Sequence, residues 1–402
     1  MSDAIGLPDQ RRWTALAIGS GAMTAGCAFQ FGMPYLIPAL RADGLSLAQA
    51  GVLVACPMIG LLCTLIAWGA AADRWGERLV LSAGLAMAGA ALLGAAAAPT
   101  PVTLGGCLAL AGAGGASVHA ASGRLILGWF TASERGLAMG ARQTAQPLGV
   151  AVAALTLPPL AAAGGLRSPL LALAAGCLAM SALVAAFVRD PGRPADENGG
   201  RRAKSPYRTQ VLYRIHAASA LLVVPQFAVA TFALVYLVDA RGWDAEPAGR
   251  VLAAVQVGGA LARLGAGAWS DLVASRLGPM RLLAGLTCGV MLALTIGAHA
   301  GSGAAVVALL VAGVSTVSTN GLAYTAVAEY AGRSWAGRAL GVQNTGQNLL
   351  AAATPPVLAQ LVHGADYTAA FAAAAGFPLI AAALIPVAAE RARRRAAPTY
   401  PR

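Results

Sequence analysis

Apolar runs of about 20 or more residues recur from one end of the chain to the other, separated by short polar connections. About 20 apolar residues wound as a helix cross the hydrocarbon core of a bilayer. Turn residues and charges between the runs mark twelve predicted helices. They cover approximately 13–40, 47–71, 79–98, 102–130, 137–163, 169–188, 211–238, 246–270, 279–298, 303–330, 338–362 and 367–389. The fold class this pattern predicts is an all-α membrane protein. The run after Arg11 and Arg12 is too long for a signal-peptide core and many runs follow it, so it reads as a retained first helix.

Composition agrees with the pattern. Of the 402 residues, 58% are hydrophobic and 11% charged, whereas soluble domains are nearer a quarter charged. The six cysteines all fall inside apolar runs, with no CxxC and no His/Cys cluster, so they read as small packing residues. No metal site, cofactor site or disulfide is expected. The net charge of +12 would suggest nucleic acid in a soluble protein. Here its distribution explains it. With both termini in the cytoplasm, only Arg41, Arg167, Arg241 and Arg250 lie near the outer face, out of 28 basic residues. A nucleic-acid partner is not needed.

The longest polar stretch, RDPGRPADENGGRRAKSPYRTQ at 189–210, contains Lys204, the single lysine. It reads as a cytoplasmic linker between a six-helix half at 1–188 and another at 211–402. The halves resemble each other. GLAMGARQTAQPL from Gly136 and GRALGVQNTGQNL from Gly337 share Gly, Ala, Gly, Thr, Gln and Leu at an offset of 201. Gly69-x-x-x-Asp73 is echoed by Gly267-x-x-x-Asp271 at an offset of 198. Two matches near half the chain length point to duplication, an organisation found in transporters.

Between predicted helices two and three stands Gly69-Ala-Ala-Ala-Asp73-Arg74-Trp75-Gly76-Glu77-Arg78, dense in charge for so apolar a chain. It resembles the signature loop of the major facilitator superfamily, in sequence and in place. A second copy, GAWSDLVASRLGPMR, runs from Gly267 to Arg281 with extra residues between Asp271 and Arg276. The resemblance covers nearly the whole chain. It implies twelve transmembrane helices in two pseudo-symmetric bundles and a secondary transporter of a small molecule, with one chain sufficing as a monomer. Glycine permits close helix approach, and an aspartate at a helix end can accept hydrogen bonds from the N–H groups that begin a neighbouring helix. Gly69, Asp73, Arg74, Gly76, Arg78, Gly267, Asp271 and Arg281 are therefore the candidate gating residues, a latch at the cytoplasmic face. A solvated positive-inside hairpin is the plainer alternative.

Polar groups within membrane helices are expensive and mark function by default. No Asp or Glu lies in the middle of any predicted helix. Arg263, on helix eight, suits a carboxylate, which its planar fork can bind with two hydrogen bonds; it resembles the helix-eight arginine of monocarboxylate transporters. Bracing of the Asp271 loop is its alternative role. Arg142 begins helix five beside Gln143 and Thr144, and Asn344 lies in the matching stretch of helix eleven. Arg142 and Arg124 could instead extend to the inner interface; for Arg124 that reading is favoured. His119 and its duplicate partner Asn320, with Tyr324, Gln30 and Gln226, complete the candidate pocket, because the resemblance places helices one, four, seven and ten around a central cavity. Buried hydrogen bonding without substrate is the alternative for each.

A proton is the usual coupling ion in related symporters, and His119 is the one deep titratable side chain of the first half. Coupling through the substrate's own carboxyl group and uncoupled transport stay open. Glu329, near the inner end of helix ten, is expected to pair with Arg333 or Arg338. The leading expectation is a carrier of small organic anions in a bacterial inner membrane; bias toward alanine and arginine suits a high-GC gene. A drug-efflux antiporter of the same superfamily is the alternative, although Leu108 stands where such antiporters carry arginine, and Gln146-Pro147-Leu148-Gly149 replaces their Gly-Pro-x-x-Gly element. No P-loop, HExxH or paired catalytic carboxylates occur, so no enzyme activity or ATP hydrolysis is expected.

Overall fold

Apolar runs too long for strands and too poor in polar side chains for surface helices give membrane helices wherever proline and glycine allow. The computed structural model describes residues 7–190, 205–332, 334–362 and 366–396. Most of the expected linker, including Lys204, and Arg333 lie outside the described residues. Among the described residues twelve long helices occur in order: α1 (Leu7–Gly32), α2 (Leu47–Trp75), α3 (Glu77–Ala96), α4 (Pro101–Trp129), α5 (Arg135–Gly164), α6 (Arg167–Phe187), α7 (Gln210–Val235), α8 (Ala245–Leu272), α9 (Leu277–His299), α10 (Ala304–Ala331), α11 (Ala336–Ala359) and α12 (Thr368–Leu384). A short basic helix, α13 (Val387–Ala396), ends the described chain. Ten of these segments are long and apolar enough to cross a bilayer; α1 and α11, richer in polar residues, complete the twelve.

The ends of the helices have local causes. Ser46 and Thr100 each form a capping box, with Gln49 and Thr103 respectively, satisfying N–H groups that the first turn leaves free. The first helix was expected to reach residue 40. It stops at Gly32, and a 3-10 turn at Met33–Leu36 and a short helix at Ile37–Ala42 follow; Pro34 and Pro38 each remove a backbone donor there. Two helices are interrupted in mid-course. In α5 the break falls at Thr144, whose hydroxyl and amide both turn to the Ala141 carbonyl. In α10 it falls at residues 316–319. Irregular backbone at membrane depth is tolerated only where protein or a polar cavity satisfies it. Both breaks adjoin the polar residues singled out above.

The chain forms two compact units. Unit 1 comprises residues 1–131, 141–204 and 331–345; unit 2 comprises 132–140, 205–330 and 346–402. Thus the first turn of α5 belongs to unit 2, and the start of α11 belongs to unit 1. In unit 1, α4 packs on α2, α3 and α1, and α6 packs on α3, around Phe29, Met33, Leu81, Leu85 and Leu108. In unit 2, α9 packs on α12 and α10, and α7 on α12, around Met291, Leu309 and Phe371. Small residues set the helix separations, as expected where lipid tails give no hydrophobic drive to association. A Cβ on Gly112 would strike the Pro57 backbone, and one on Gly60 the Ala109 carbonyl.

Gly112→Leu is therefore expected to wedge α4 from α2 and lower the thermal unfolding midpoint in detergent, costing about 3 kcal/mol by overpacking. Gly106→Leu, on the same helix at a position where a Cβ meets open space, should leave the midpoint within error.

Candidate functional site

In unit 1 the signature loop is built around two buried carboxylates. Asp73, on the last turn of α2, accepts hydrogen bonds from the backbone N–H of Gly337 at 2.8 Å and Arg338 at 3.1 Å, the first turn of α11. The contact requires glycine on both sides, because a Cβ on Gly69 would meet the Gly337 carbonyl, and one on Gly337 the Gly69 carbonyl. Arg338 adds an ion pair to Asp73 at 3.2 Å and lies over the Trp335 ring. Gly76 breaks the chain between α2 and α3 at φ +91°, a left-handed conformation that glycine adopts at little cost. Glu77 begins α3, buried.

Arg124, near the end of α4, turns to these acids. Two buried acids need a counter-charge, and Arg124 supplies it, 3.2 Å from Glu77 and 3.8 Å from Asp73, with a further bond to the Ala72 carbonyl. Arg74 lies by its neighbour Trp75, and the exposed Arg78 enters through its backbone. The N–H groups of Glu77 and Arg78 both donate to Asp190, each at 2.8 Å.

Unit 2 repeats the arrangement with different residues. Asp271 accepts from the N–H groups of Gly136 at 2.9 Å and Leu137 at 2.8 Å, in the first turn of α5. Its ion partner is Arg276, at 2.5 Å; Arg281 is exposed. Arg276 also reaches Glu329 at 3.3 Å, Ser270 at 2.7 Å and the Ala132 carbonyl. Glu329 thus pairs with Arg276 and, at 3.7 Å, with Arg135. Arg338, its expected partner, is held by Asp73. Glu390 takes the place of Asp190: it accepts from the N–H of Arg276 at 2.7 Å and of Leu277 at 3.2 Å, the start of α9.

The polar residues in mid-helix fall into one cluster per unit. In unit 1, His119 Nε2 and Gln30 Oε1 are 2.8 Å apart. Arg142 is 1% exposed and does not reach the interface; its guanidinium donates to Ser122 Oγ at 2.8 Å, to the His119 carbonyl at 3.1 Å and to Gln143 Oε1 at 3.4 Å. Asn344 donates to the Leu340 carbonyl at 2.8 Å and the His119 carbonyl at 3.5 Å. The Gln30 amide nitrogen is buried without an acceptor among the described residues. A small cavity of about 10 Å³, enough for one water, lies between Arg142, Ser122, Ser20 and the apolar side chains of α1 and α4.

In unit 2, Asn320 donates to Gln226 at 3.1 Å, so the duplicated positions make the same kind of bond as His119 and Gln30. Tyr324 donates to Gln347 at 2.7 Å, and Gln347 to Ser219 at 2.7 Å. Arg263 is 6% exposed and donates to the Val317 carbonyl at 3.3 Å, inside the break of α10. Ser122 and Ser219 were not singled out from sequence. Serine occurs throughout the chain, and only the register of helix on helix selects these two. Outside the spans, burial pushes the Tyr207 hydroxyl up to about 12, with Tyr213 adding to the effect, so Tyr207 faces His216, 3.0 Å away, as a neutral phenol. Among the described residues, no group of three His, Cys, Asp or Glu is placed to hold a metal.

Comparison with known proteins gives concordant matches. The family model described as Major Facilitator Superfamily matches residues 18–355. An MFS-type transporter of Mycobacterium tuberculosis is 42% identical over 379 residues, covering 94% of this chain and 85% of that one. Among solved structures, the MFS transporter FucP in its outward conformation aligns with a TM-score of 0.74 at 16% identity, over 95% of this chain and 99% of that one. The human organic anion transporter MFSD10 aligns with a TM-score of 0.73 at 16% identity, over 94% and 99%.

Removing Arg124 leaves two buried carboxylates without their shared cation. Arg124→Met is expected to cost about 3 kcal/mol, the range for breaking a buried pair on one side, read as a lowered unfolding midpoint. Adding Glu77→Gln to it should restore part of the loss. An unchanged midpoint in the single variant would show that the cluster contributes no stability.

Proposed function

Because this chain belongs to the major facilitator superfamily, we propose that it is a secondary transporter of a small organic anion in a bacterial plasma membrane. The observation that carries the substrate class is Arg142. A guanidinium is always charged at physiological pH. Here it is buried in a membrane helix, bonded to a hydroxyl, a carboxamide and a carbonyl, in a chain whose acids lie near helix ends. A carboxylate offers such a cation both charge and two acceptor oxygens. The amide donor of Gln30, buried without an acceptor, favours a ligand rich in oxygen for the same reason. Within unit 2, buried Arg263 and the Asn320, Gln226 and Tyr324 cluster form a separate polar group of the same kind. Binding by His119 and Asn344 orients the ligand.

Two six-helix halves joined by the 189–210 linker would carry the motion, in a monomer with both termini in the cytoplasm, as the positive-inside distribution supports. Asp73 and Asp271 act as latches: each bonds the first turn of a helix from the other half of the sequence, and those bonds have to break when the helix ends separate.

The test is uptake of radiolabelled mono- and dicarboxylates into proteoliposomes. At least one of them is expected to enter, with Arg142→Gln and Arg263→Gln each lowering its uptake tenfold or more, about the loss of one charge-assisted hydrogen bond. Exclusion of every anion, with movement of neutral or cationic compounds, would overturn the anion reading in favour of efflux.

A further inference from the structure

We propose that unit 2 carries a second binding site, for a small organic ammonium ion, at the end of its helix bundle opposite Asp271. The site shares no residue with the mid-helix clusters and stands independently of the anion reading.

A cavity of about 460 Å³ opens there, within the range of small-molecule sites, about 300–1,000 Å³. The end of α7, the end of α9 and the start of α12 build it. Tyr236, Asp239, Arg241, His299, Asp366 and Tyr367 line it. Past Val235, α7 widens into a π turn at Tyr236–Ala240, an uncommon geometry that recurs at functional sites. Tyr236 and Asp239 both belong to that turn.

The walls favour a positive ligand for three reasons. With histidine neutral, the carboxylates of Asp239 and Asp366 outnumber the guanidinium of Arg241 among the lining side chains. That guanidinium is engaged: it donates to the Gly301 carbonyl at 2.7 Å and lies against the Tyr236 hydroxyl, bracing the end of α7 to the connection between α9 and α10. Next, α7 and α9 both end at the cavity, and the carbonyl end of a helix is the negative pole of its dipole. Finally, Tyr236 and Tyr367 are buried, with ring centroids 5.7 Å apart and planes at 85°, and the face of an aromatic ring attracts a cation.

The two acids are positioned by neutral donors. Asp239 accepts from the Tyr367 hydroxyl at 3.3 Å. Asp366 accepts from the Thr368 N–H at 2.9 Å, at the start of α12. Burial, with Asp239 beside it, pushes the Tyr367 hydroxyl above its ordinary range, so the phenol stays a donor. A metal ion fits less well: among the described residues no three His, Cys, Asp or Glu are placed to hold one. An organic ammonium asks for less. Carboxylates meet its charge and aromatic rings meet its methyl or methylene groups. Seated between Asp239 and Asp366, the ion joins the end of α7 to the start of α12. Free amines and the ammonium headgroups of phospholipids share this chemistry.

Choline is the probe. Its binding to the full-length protein is measured by isothermal titration calorimetry at about pH 8, above the usual histidine range. The protein sits in nanodiscs made only of phosphatidylglycerol, with empty nanodiscs as the reference. Saturable binding at a single site per chain is expected. Asp239→Asn and Asp366→Asn keep the shape and an acceptor oxygen of each side chain and remove its charge. Each should weaken binding roughly tenfold, about the loss of one charge-assisted contact. If a variant does not fold, the native protein still gives the answer: 3,3-dimethylbutanol, the uncharged carbon analogue of choline, should bind about tenfold more weakly or less.

Repetition in nanodiscs containing phosphatidylethanolamine separates the two sources. A lowered apparent affinity for choline supports a lipid headgroup as the natural occupant, and an unchanged one supports a free ammonium ion. The proposal is overturned by any of three results: no saturable choline binding in phosphatidylglycerol, binding untouched by both substitutions, or equal binding of the uncharged analogue. None of these bears on the uptake of carboxylates, so the anion reading stands or falls separately.

Discussion

Four carboxylates hold the first peptide N–H groups of four helices. Asp73 caps α11, Asp190 caps α3, Asp271 caps α5 and Glu390 caps α9. A helix start carries unsatisfied donors and the positive end of the macrodipole. Where such a start is buried in protein water is scarce, and an anion placed there satisfies both. The geometry follows from this constraint. The carboxylate has to reach the backbone, so the helices come close, and glycine occupies the crossing at Gly69 against Gly337 and at Gly136 against Gly267. The buried carboxylate then needs a cation, and Arg124 and Arg276 occupy the available positions.

The polar interior follows the same logic at lower charge density. Arg142 donates to a hydroxyl, a carboxamide and the His119 carbonyl of α4, and Arg263 donates to the Val317 carbonyl within the interrupted stretch of α10. At the helix ends, Arg124 and Arg276 meet acids directly.

Duplication gives the two units related solutions with different residues. Gln30 with His119 and Gln226 with Asn320 are the same hydrogen-bonded pair, one of them titratable. Asp73 with Arg124 and Asp271 with Arg276 are the same ion pair, with the arginine drawn from α4 in one unit and from the signature loop itself in the other. Divergence at a fixed geometry leaves helix contacts alike and lets the chemistry of each cluster differ.

By itself the sequence determined the twelve helices, the duplication, the crowding glycines and the two aspartates of the signature loops. Each of those is a local property or a repeated spacing: apolar length, helix-breaking residues, and similarity at an offset near 200. Tertiary structure decided which arginine meets which acid. Arg124 read as an interface residue because its partners sit some 50 positions away on α2 and α3. Arg281 stood in the motif, yet Arg276 forms the ion pair, since the extra residues of the second loop shift the register. Asp190 read as part of a solvated linker, and Glu390 drew no notice, although they lie 200 residues apart. Helix-end charges are short-ranged and depend on angle, so their partners are set by how the helices pack, and spacing along the chain does not encode that.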